Sequence, residues 1–258
     1  MERGPEAAAG KRLNRFFALA CAAGLAACAS QAGFTSREQD VSGQLFEPRG
    51  PGPHPAVVLL HACGGMTPHV TRDWPKYLVD LGYVVLAVDT IGSRGYAECG
   101  GMPDRLEAQA RDAYGALDYL ATQPFVDARR VAVAGFSMGA ITINELILMR
   151  SPRPAGSAEF KAFASFYGRC VNMNPALMRD APLLQIIPEK DNFARGCLQR
   201  AKTVRMEAHL LPGAYHAFDQ PQMTTVRPDR AGNPMLYDAA ATQRAQALLR
   251  DFLARNLK

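Results

Sequence analysis

The segment Gly135-Phe136-Ser137-Met138-Gly139 constrains this chain more than any other, because of what stands on either side of it. Arg130-Val-Ala-Val-Ala-Gly-Phe136 reads as a buried strand and Met138 to Met149 as a helix, with almost no loop between them. A G-x-S-x-G pattern in that setting makes a sharp, strained turn: its glycines let the helix pack close to the sheet, and its serine is aimed out beyond the strand end. Ser137 is therefore read as a nucleophile. The bland alternative is a serine that merely caps the following helix.

The rest of the chain supplies the scaffold such a turn needs. Pro55-Ala-Val-Val-Leu-Leu-His61 is a continuous apolar run, as expected of a strand buried on both faces, and it feeds the glycine-rich turn Ala62-Cys63-Gly64-Gly65. Tyr83 to Val88 repeats the pattern and ends at Asp89. Phe160 to Phe166, Leu183 to Ile187 and Val204 to Leu211 are further strand candidates, and Val41 to Phe46 reads as a short edge strand. Between them, helical spacing covers Trp74 to Leu81 and Arg105 to Thr122, where Leu106, Ala110, Ala113, Leu117 and Leu120 share one side. A long helix, Ala239 to Asn256, closes the chain. Strands alternating with helices predict an α/β fold with a doubly wound, mostly parallel sheet that binds ligands at the carboxyl ends of its strands. No internal linker or repeat divides the 258 residues, so a single domain over 41–258 is expected.

A serine hydroxyl is a poor nucleophile until a base takes its proton and a third group orients that base. Where this elbow occurs, the chain order is serine, acid, histidine. Only His209 and His216 follow Ser137. His209 alternates with apolar neighbours inside a strand and reads as structural, whereas His216 follows the loop Pro212-Gly-Ala-Tyr215 just past a strand end, where the base must stand. The acid should leave the preceding strand, and Asp191 in Pro188-Glu-Lys-Asp-Asn192 fits best. Glu189 is the second choice; Asp180 precedes the strand and Asp219 lies too near His216, so both read as solvated surface carboxylates. The developing oxyanion needs fixed N–H donors, expected from Met138, after the nucleophile, and from Cys63, in the loop after the first core strand. His61 reads as structural or pocket-lining.

Together, His61-Ala-Cys-Gly-Gly65, Gly135 to Gly139, Lys190-Asp191 and Tyr215-His-Ala-Phe-Asp219 resemble the dienelactone hydrolase family of the α/β-hydrolase superfamily, over about Val41 to Leu257. The resemblance implies the α/β-hydrolase fold and hydrolysis of a small-molecule carboxylic ester or lactone through an acyl-enzyme, with no metal and no organic cofactor. Two departures stand out. The founding enzymes use a cysteine nucleophile where this chain has Ser137, as many exported relatives do, and they carry a glutamate where it has Ala62. Dienelactone itself is therefore not the expected substrate. Arg94 falls near a position where the family has a carboxylate-binding arginine; the alternative is a loop arginine that holds backbone carbonyls. A peptidase or amidase of the same fold is a second reading, although such enzymes usually add a propeller or large lid for which this chain has no room. A ligand-binding surface lipoprotein without catalysis is a third, and the intact Ser, Asp and His argue against it.

The N-terminus indicates where the protein works. Arg3, Lys11, Arg12 and Arg15 precede an apolar run from Phe16 to Ala27, the layout of a secretory signal peptide over residues 1–27. Leu25-Ala-Ala-Cys28 resembles a bacterial lipobox, which would make Cys28 a lipidated N-terminus, followed by a tether to residue 40. The expectation is an exported protein, periplasmic or at the cell surface, held to the membrane by a lipid anchor on Cys28. Without residues 1–27 there remain 25 basic and 22 acidic residues, a net of +3, and no basic stripe with interleaved aromatics, so nucleic acid is excluded as a partner. Cys63, Cys99, Cys170 and Cys197 then form an even set in an oxidising compartment and read as two disulfides, with three connectivities open to the sequence. In the fold the family implies, the strand ending at His61 lies beside that ending at Asp89, and Phe160 to Phe166 beside Leu183 to Ile187. The expected pairs are therefore Cys63–Cys99 and Cys170–Cys197.

Overall fold

A computed structural model of the chain describes residues 29–36, 39–148, 158–171 and 173–258. The expected signal peptide and Cys28 lie outside the described residues. The apolar runs without polar alternation take the middle of one eight-stranded sheet, where both faces are covered and each side chain must be apolar. In chain order the elements are β1 (Ala29–Ser36), β2 (Gln39–Phe46), β3 (His54–Leu60), α1 (Trp74–Asp80), β4 (Val84–Asp89), α2 (Arg105–Ala121), β5 (Val126–Phe136), α3 (Met138–Leu146), β6 (Ala162–Phe166), β7 (Leu183–Pro188), α4 (Ala194–Arg200) and β8 (Glu207–Leu211). Two-residue strands β9 (Arg227–Pro228) and β10 (Pro234–Met235) and the long α5 (Ala239–Asn256) complete the chain.

The sheet runs β1-β2-β4-β3-β5-β6-β7-β8. From β4 to β8 every neighbouring pair is parallel, whereas β1 and β2 join antiparallel. Successive residues of one strand serve opposite layers, as the period of two requires. Val58 and Leu60 of β3 enter a core with Ala113, Leu117 and Leu120 of α2 and Ile143 and Leu146 of α3. Val57 and Leu59 enter the other, with Trp74 and Leu78 of α1 and Leu249 and Phe252 of α5. This is the doubly wound, mostly parallel α/β arrangement that the alternation of strands and helices predicts.

The N-terminal edge differs from expectation. Val41 to Phe46 is not an edge strand, because β1 pairs along the whole of β2, from Ala29 opposite Phe46 to Ser36 opposite Gln39. Most of the expected tether over 28–40 is thus sheet. Its small and polar residues hid the strand: only Ala32, Phe34 and Ser36 are buried, and Phe34 packs where α2 has Gly115, a position at which a methyl group would press on the Phe34 ring. Disulfides join Cys63 to Cys99 and Cys170 to Cys197, the pairing expected, with Cα atoms 4.8 and 5.0 Å apart. The first joins the loops that leave the carboxyl ends of the adjacent parallel strands β3 and β4; the second joins the loop after β6 to α4, which follows the adjacent β7. Among the described residues no helix is long and apolar enough to cross a membrane.

Candidate active site

The strand-to-helix turn at Ser137 is strained in the way the motif predicts. Ser137 has φ 51° and ψ −105°, and its amide donates to the Phe166 carbonyl of the neighbouring strand at 3.0 Å. Both motif glycines are sterically obligatory. A Cβ on Gly135 would strike the Gly139 carbonyl, and one on Gly139 would strike the Leu60 carbonyl of β3. The close crossing of α3 over β3 and β5 therefore holds the serine in a conformation L-residues otherwise avoid.

His216 Nε2 lies 3.0 Å from Ser137 Oγ, and His216 Nδ1 lies 2.7 Å from Asp191 Oδ2. The second contact fixes the tautomer: Nδ1–H donates to the carboxylate and leaves Nε2 as an acceptor for the serine hydroxyl. His216 and Asp191 are almost wholly buried, which shields the contact between them, whereas Ser137 is partly exposed. Asp191 stands just past β7, where Asp191 Oδ1 accepts the Phe193 amide at 2.8 Å and the Lys190 amide binds the Ala214 carbonyl. His216 stands past β8, and its backbone is gripped on both sides, its N–H donating to Pro234 and its carbonyl accepting from Leu236. The three residues singled out in the sequence are thus brought together from three separate loops.

The loop after β3 lies against the same centre. Its Cys63 packs beside Met138, Cys99 and Met102, and the Cys99 amide donates to the Cys63 carbonyl at 3.0 Å. Among the described residues neither the Cys63 nor the Met138 N–H has a protein acceptor, which leaves both free for a ligand oxygen. His61 is structural: its Nε2 accepts the Thr90 amide, so Nδ1 carries the proton and donates to the Ala62 carbonyl at 2.7 Å. Burial pushes its pKa down and keeps it neutral. This imidazole ties the Cys63 loop to the end of β4. Among the described residues no cluster of His, Cys, Asp or Glu is arranged to hold a metal ion.

Several expectations need correction. Arg94 is engaged internally: its guanidinium grips the fully buried Asp112 with two hydrogen bonds of 2.7 and 2.9 Å and donates to the Thr90 carbonyl at 2.8 Å. That makes it a loop brace rather than a carboxylate anchor for substrate. Asp219 is not a solvated surface carboxylate. It is 2% exposed and accepts hydrogen bonds from Trp74 Nε1 and the Tyr167 hydroxyl, both at 2.7 Å. Glu189 accepts the Gly213 amide, while Asp180, paired with Arg205 at the surface, and His209, engaged by Glu207, stand as expected.

Two further groups went unnoticed in the sequence. Tyr167, at φ 47°, packs its ring edge-on to His216 with centroids 4.8 Å apart, and burial raises its phenol pKa well above the usual value, so it remains a neutral donor to Asp219. Asp229, in the segment between β9 and β10, brings Oδ2 to 3.7 Å from His216 Nε2. The turn signature Pro228-Asp-Arg-Ala-Gly232-Asn233 is readable, but nothing in it says which part of the fold that turn will touch.

Comparison with known proteins agrees with this fold. The model of the dienelactone hydrolase family matches residues 41–257. An uncharacterised Escherichia coli protein, YcjY, is 30% identical over 116 residues, which is 43% of this chain and 37% of that protein. The chain thus matches well under half the length of that relative. Among solved structures, m3DLH superposes with a TM-score of 0.70 at 23% identity, covering 90% of this chain and 99% of its own. A dienelactone hydrolase-like promiscuous phosphotriesterase from metagenomic libraries gives 0.69 at 22% identity, covering 90% and 100%. At these identities the two structures speak to the fold, which is that of the α/β hydrolases.

Proposed function

Because the chain belongs to the dienelactone hydrolase family, we propose that it is a serine hydrolase that cleaves a carboxylic ester or lactone through an acyl-enzyme. The observation that carries this reading is the unbroken relay from Ser137 through His216 to Asp191, at 3.0 and 2.7 Å. In the first step Ser137 Oγ attacks the ester carbonyl carbon while His216 Nε2 takes the hydroxyl proton. Negative charge gathers on the carbonyl oxygen, and the N–H groups of Cys63 and Met138 receive it. Asp191 stabilises the imidazolium and holds its orientation. Collapse of the tetrahedral adduct breaks the ester C–O bond, and the imidazolium returns its proton to the departing alkoxide. A water then enters, gives a proton to His216 and bonds to the acyl carbon; the acyl C–Oγ bond breaks, the acid leaves, and the imidazolium returns the proton to Ser137 Oγ. No step calls for a metal or organic cofactor.

The test is covalent labelling by a fluorophosphonate, with Ser137→Ala as control, followed by p-nitrophenyl esters of rising acyl length. Labelling at Ser137 with ester turnover is expected. His216→Ala should lose nearly all of it, and Asp191→Asn should lose orders of magnitude but less than Ser137→Ala, since the imidazole loses its orienting acceptor. An unlabelled, folded wild-type protein would refute the reading. The accompanying localisation is export, with cleavage before Cys28 and lipidation of that residue; the two disulfides and the lipobox sequence support it. Cys28→Ser should move the protein from the membrane to the soluble fraction, and a mature N-terminus at an unmodified Cys28 would end that proposal.

A further inference from the structure

We propose that Asp229 sets the charge selectivity of the site on its leaving-group side, favouring esters of cationic alcohols over neutral ones and disfavouring anionic ones. The inference rests on the hydrolase reading and goes beyond it to substrate class. Asp229 Oδ2 lies 3.7 Å from His216 Nε2, the nitrogen that faces Ser137 Oγ and must hand its proton to the departing alcohol. A group that close to Nε2 borders the space the alcohol occupies. The carboxylate is about a fifth exposed, so its field reaches that space without full screening.

The carboxylate is held rigidly, and while His216 is neutral no charged group at ion-pair distance among the described residues offsets it. Oδ1 accepts the amides of Ala231 and Asn233, both at 2.8 Å, and Oδ2 accepts Asn233 Nδ2 at 2.9 Å. All three donors are neutral. Among the described residues no lysine or arginine stands within ion-pair distance of it. The adjacent Arg230 is paired with Glu98, and Arg94, the arginine expected to receive a substrate carboxylate, is consumed by Asp112. The turn is itself fixed over the site: Gly232 accepts Asn192 Nδ2 at 2.8 Å, and the Pro234 carbonyl accepts the His216 amide. A positive group on the alcohol of an arriving ester would therefore meet a carboxylate with no lysine or arginine partner, and a negative one would be repelled by it.

Asp229→Asn removes the charge with little disturbance of the turn. The amide oxygen can keep the two backbone donors. Its new NH2 has a ready acceptor, because buried Asn233 Oδ1 has no partner and a flip of the Asn233 amide presents it. The experiment compares kcat/KM for choline, 3,3-dimethylbutyl and 2-sulfoethyl esters of one acid, alcohols of similar shape and different charge, with wild type and Asp229→Asn. Wild type is expected to rank them in that order. The variant should compress the choline to sulfoethyl ratio by about tenfold or more, as for loss of one partly screened charge at close range. The neutral ester should fall less than the choline ester, and fluorophosphonate labelling of the variant at Ser137, at whatever rate, would show that the relay is still assembled. Equal ratios in the two proteins would overturn the proposal while leaving the hydrolase reading in place. Absence of labelling in wild type would instead bring down that reading, and the charge selectivity with it.

Discussion

Tyr167→Phe isolates what a buried hydrogen bond to a carboxylate contributes here, because the exchange removes one oxygen and leaves the ring. The Tyr167 hydroxyl donates to Asp219 Oδ1 and Trp74 Nε1 to Asp219 Oδ2, each at 2.7 Å, and all three side chains are almost completely buried. A hydrogen bond to a charged group contributes roughly 1.5–3 kcal/mol, and the loss moves toward the upper end when the abandoned oxygen cannot reach water. The shapes match, so no cavity term is added. The expected cost is about 2–3 kcal/mol, equivalent to roughly 4–12 °C in Tm for a domain of this size. Urea unfolding reads it directly, since Trp74 is the only tryptophan in the chain and belongs to the network. The ring packed against His216 is retained, so kcat should fall by less than about threefold, under ~1 kcal/mol of barrier. A stability loss below about 1 kcal/mol would mean that Asp219 finds another donor and that the network has been misjudged. A collapse of activity without loss of stability would mean that the hydroxyl acts on His216 rather than on Asp219.

Two other outcomes follow from buried groups and cross-links. His61 and His69 are buried and their pKa values are lowered, chiefly by desolvation, so below about pH 6.5 the unfolded chain binds protons that the native protein refuses. Stability should therefore fall on acidification from that point, by roughly 1–1.5 kcal/mol per pH unit for each histidine until its native pKa is reached, and the slope should flatten in His69→Gln; an unchanged slope would contradict the assignment. Closing loops of 36 and 27 residues, the two disulfides should each contribute about 3–4 kcal/mol on the chain-entropy model. Cys63→Ala/Cys99→Ala and Cys170→Ala/Cys197→Ala should lose similar stability in thermal scans, but only the first should also lose kcat while still folded. It frees the loop whose N–H is proposed to meet the oxyanion, whereas Asp191 keeps its backbone supports; equal losses of kcat would count against that role for Cys63.

What the sequence determined by itself is local or follows from periodicity. The continuous apolar runs give β3, β4 and β7 because a strand covered on both faces has no place for polar alternation. The elbow at Ser137 is legible because glycine is required at 135 and 139 by backbone contacts a few residues away or on the adjoining strand. Chain order and strand ends then lead to Asp191 and His216, which the fold brings within hydrogen-bonding distance. Tertiary structure decided the rest. β1 is a strand by virtue of its eight-residue partner, not of its own small and polar residues. Arg94 could have faced a ligand or the protein, and only the packing of α2, which carries Asp112 under it, chose the protein. Asp219 reads as a surface carboxylate until Trp74, 145 positions earlier, and Tyr167, 52 earlier, are seen to converge on it. Asp229 reaches His216 because a loop folds back over the site. The charge of a side chain is written in the sequence, but its solvation and its partners belong to residues far along the chain, and for an ionised group these decide its role.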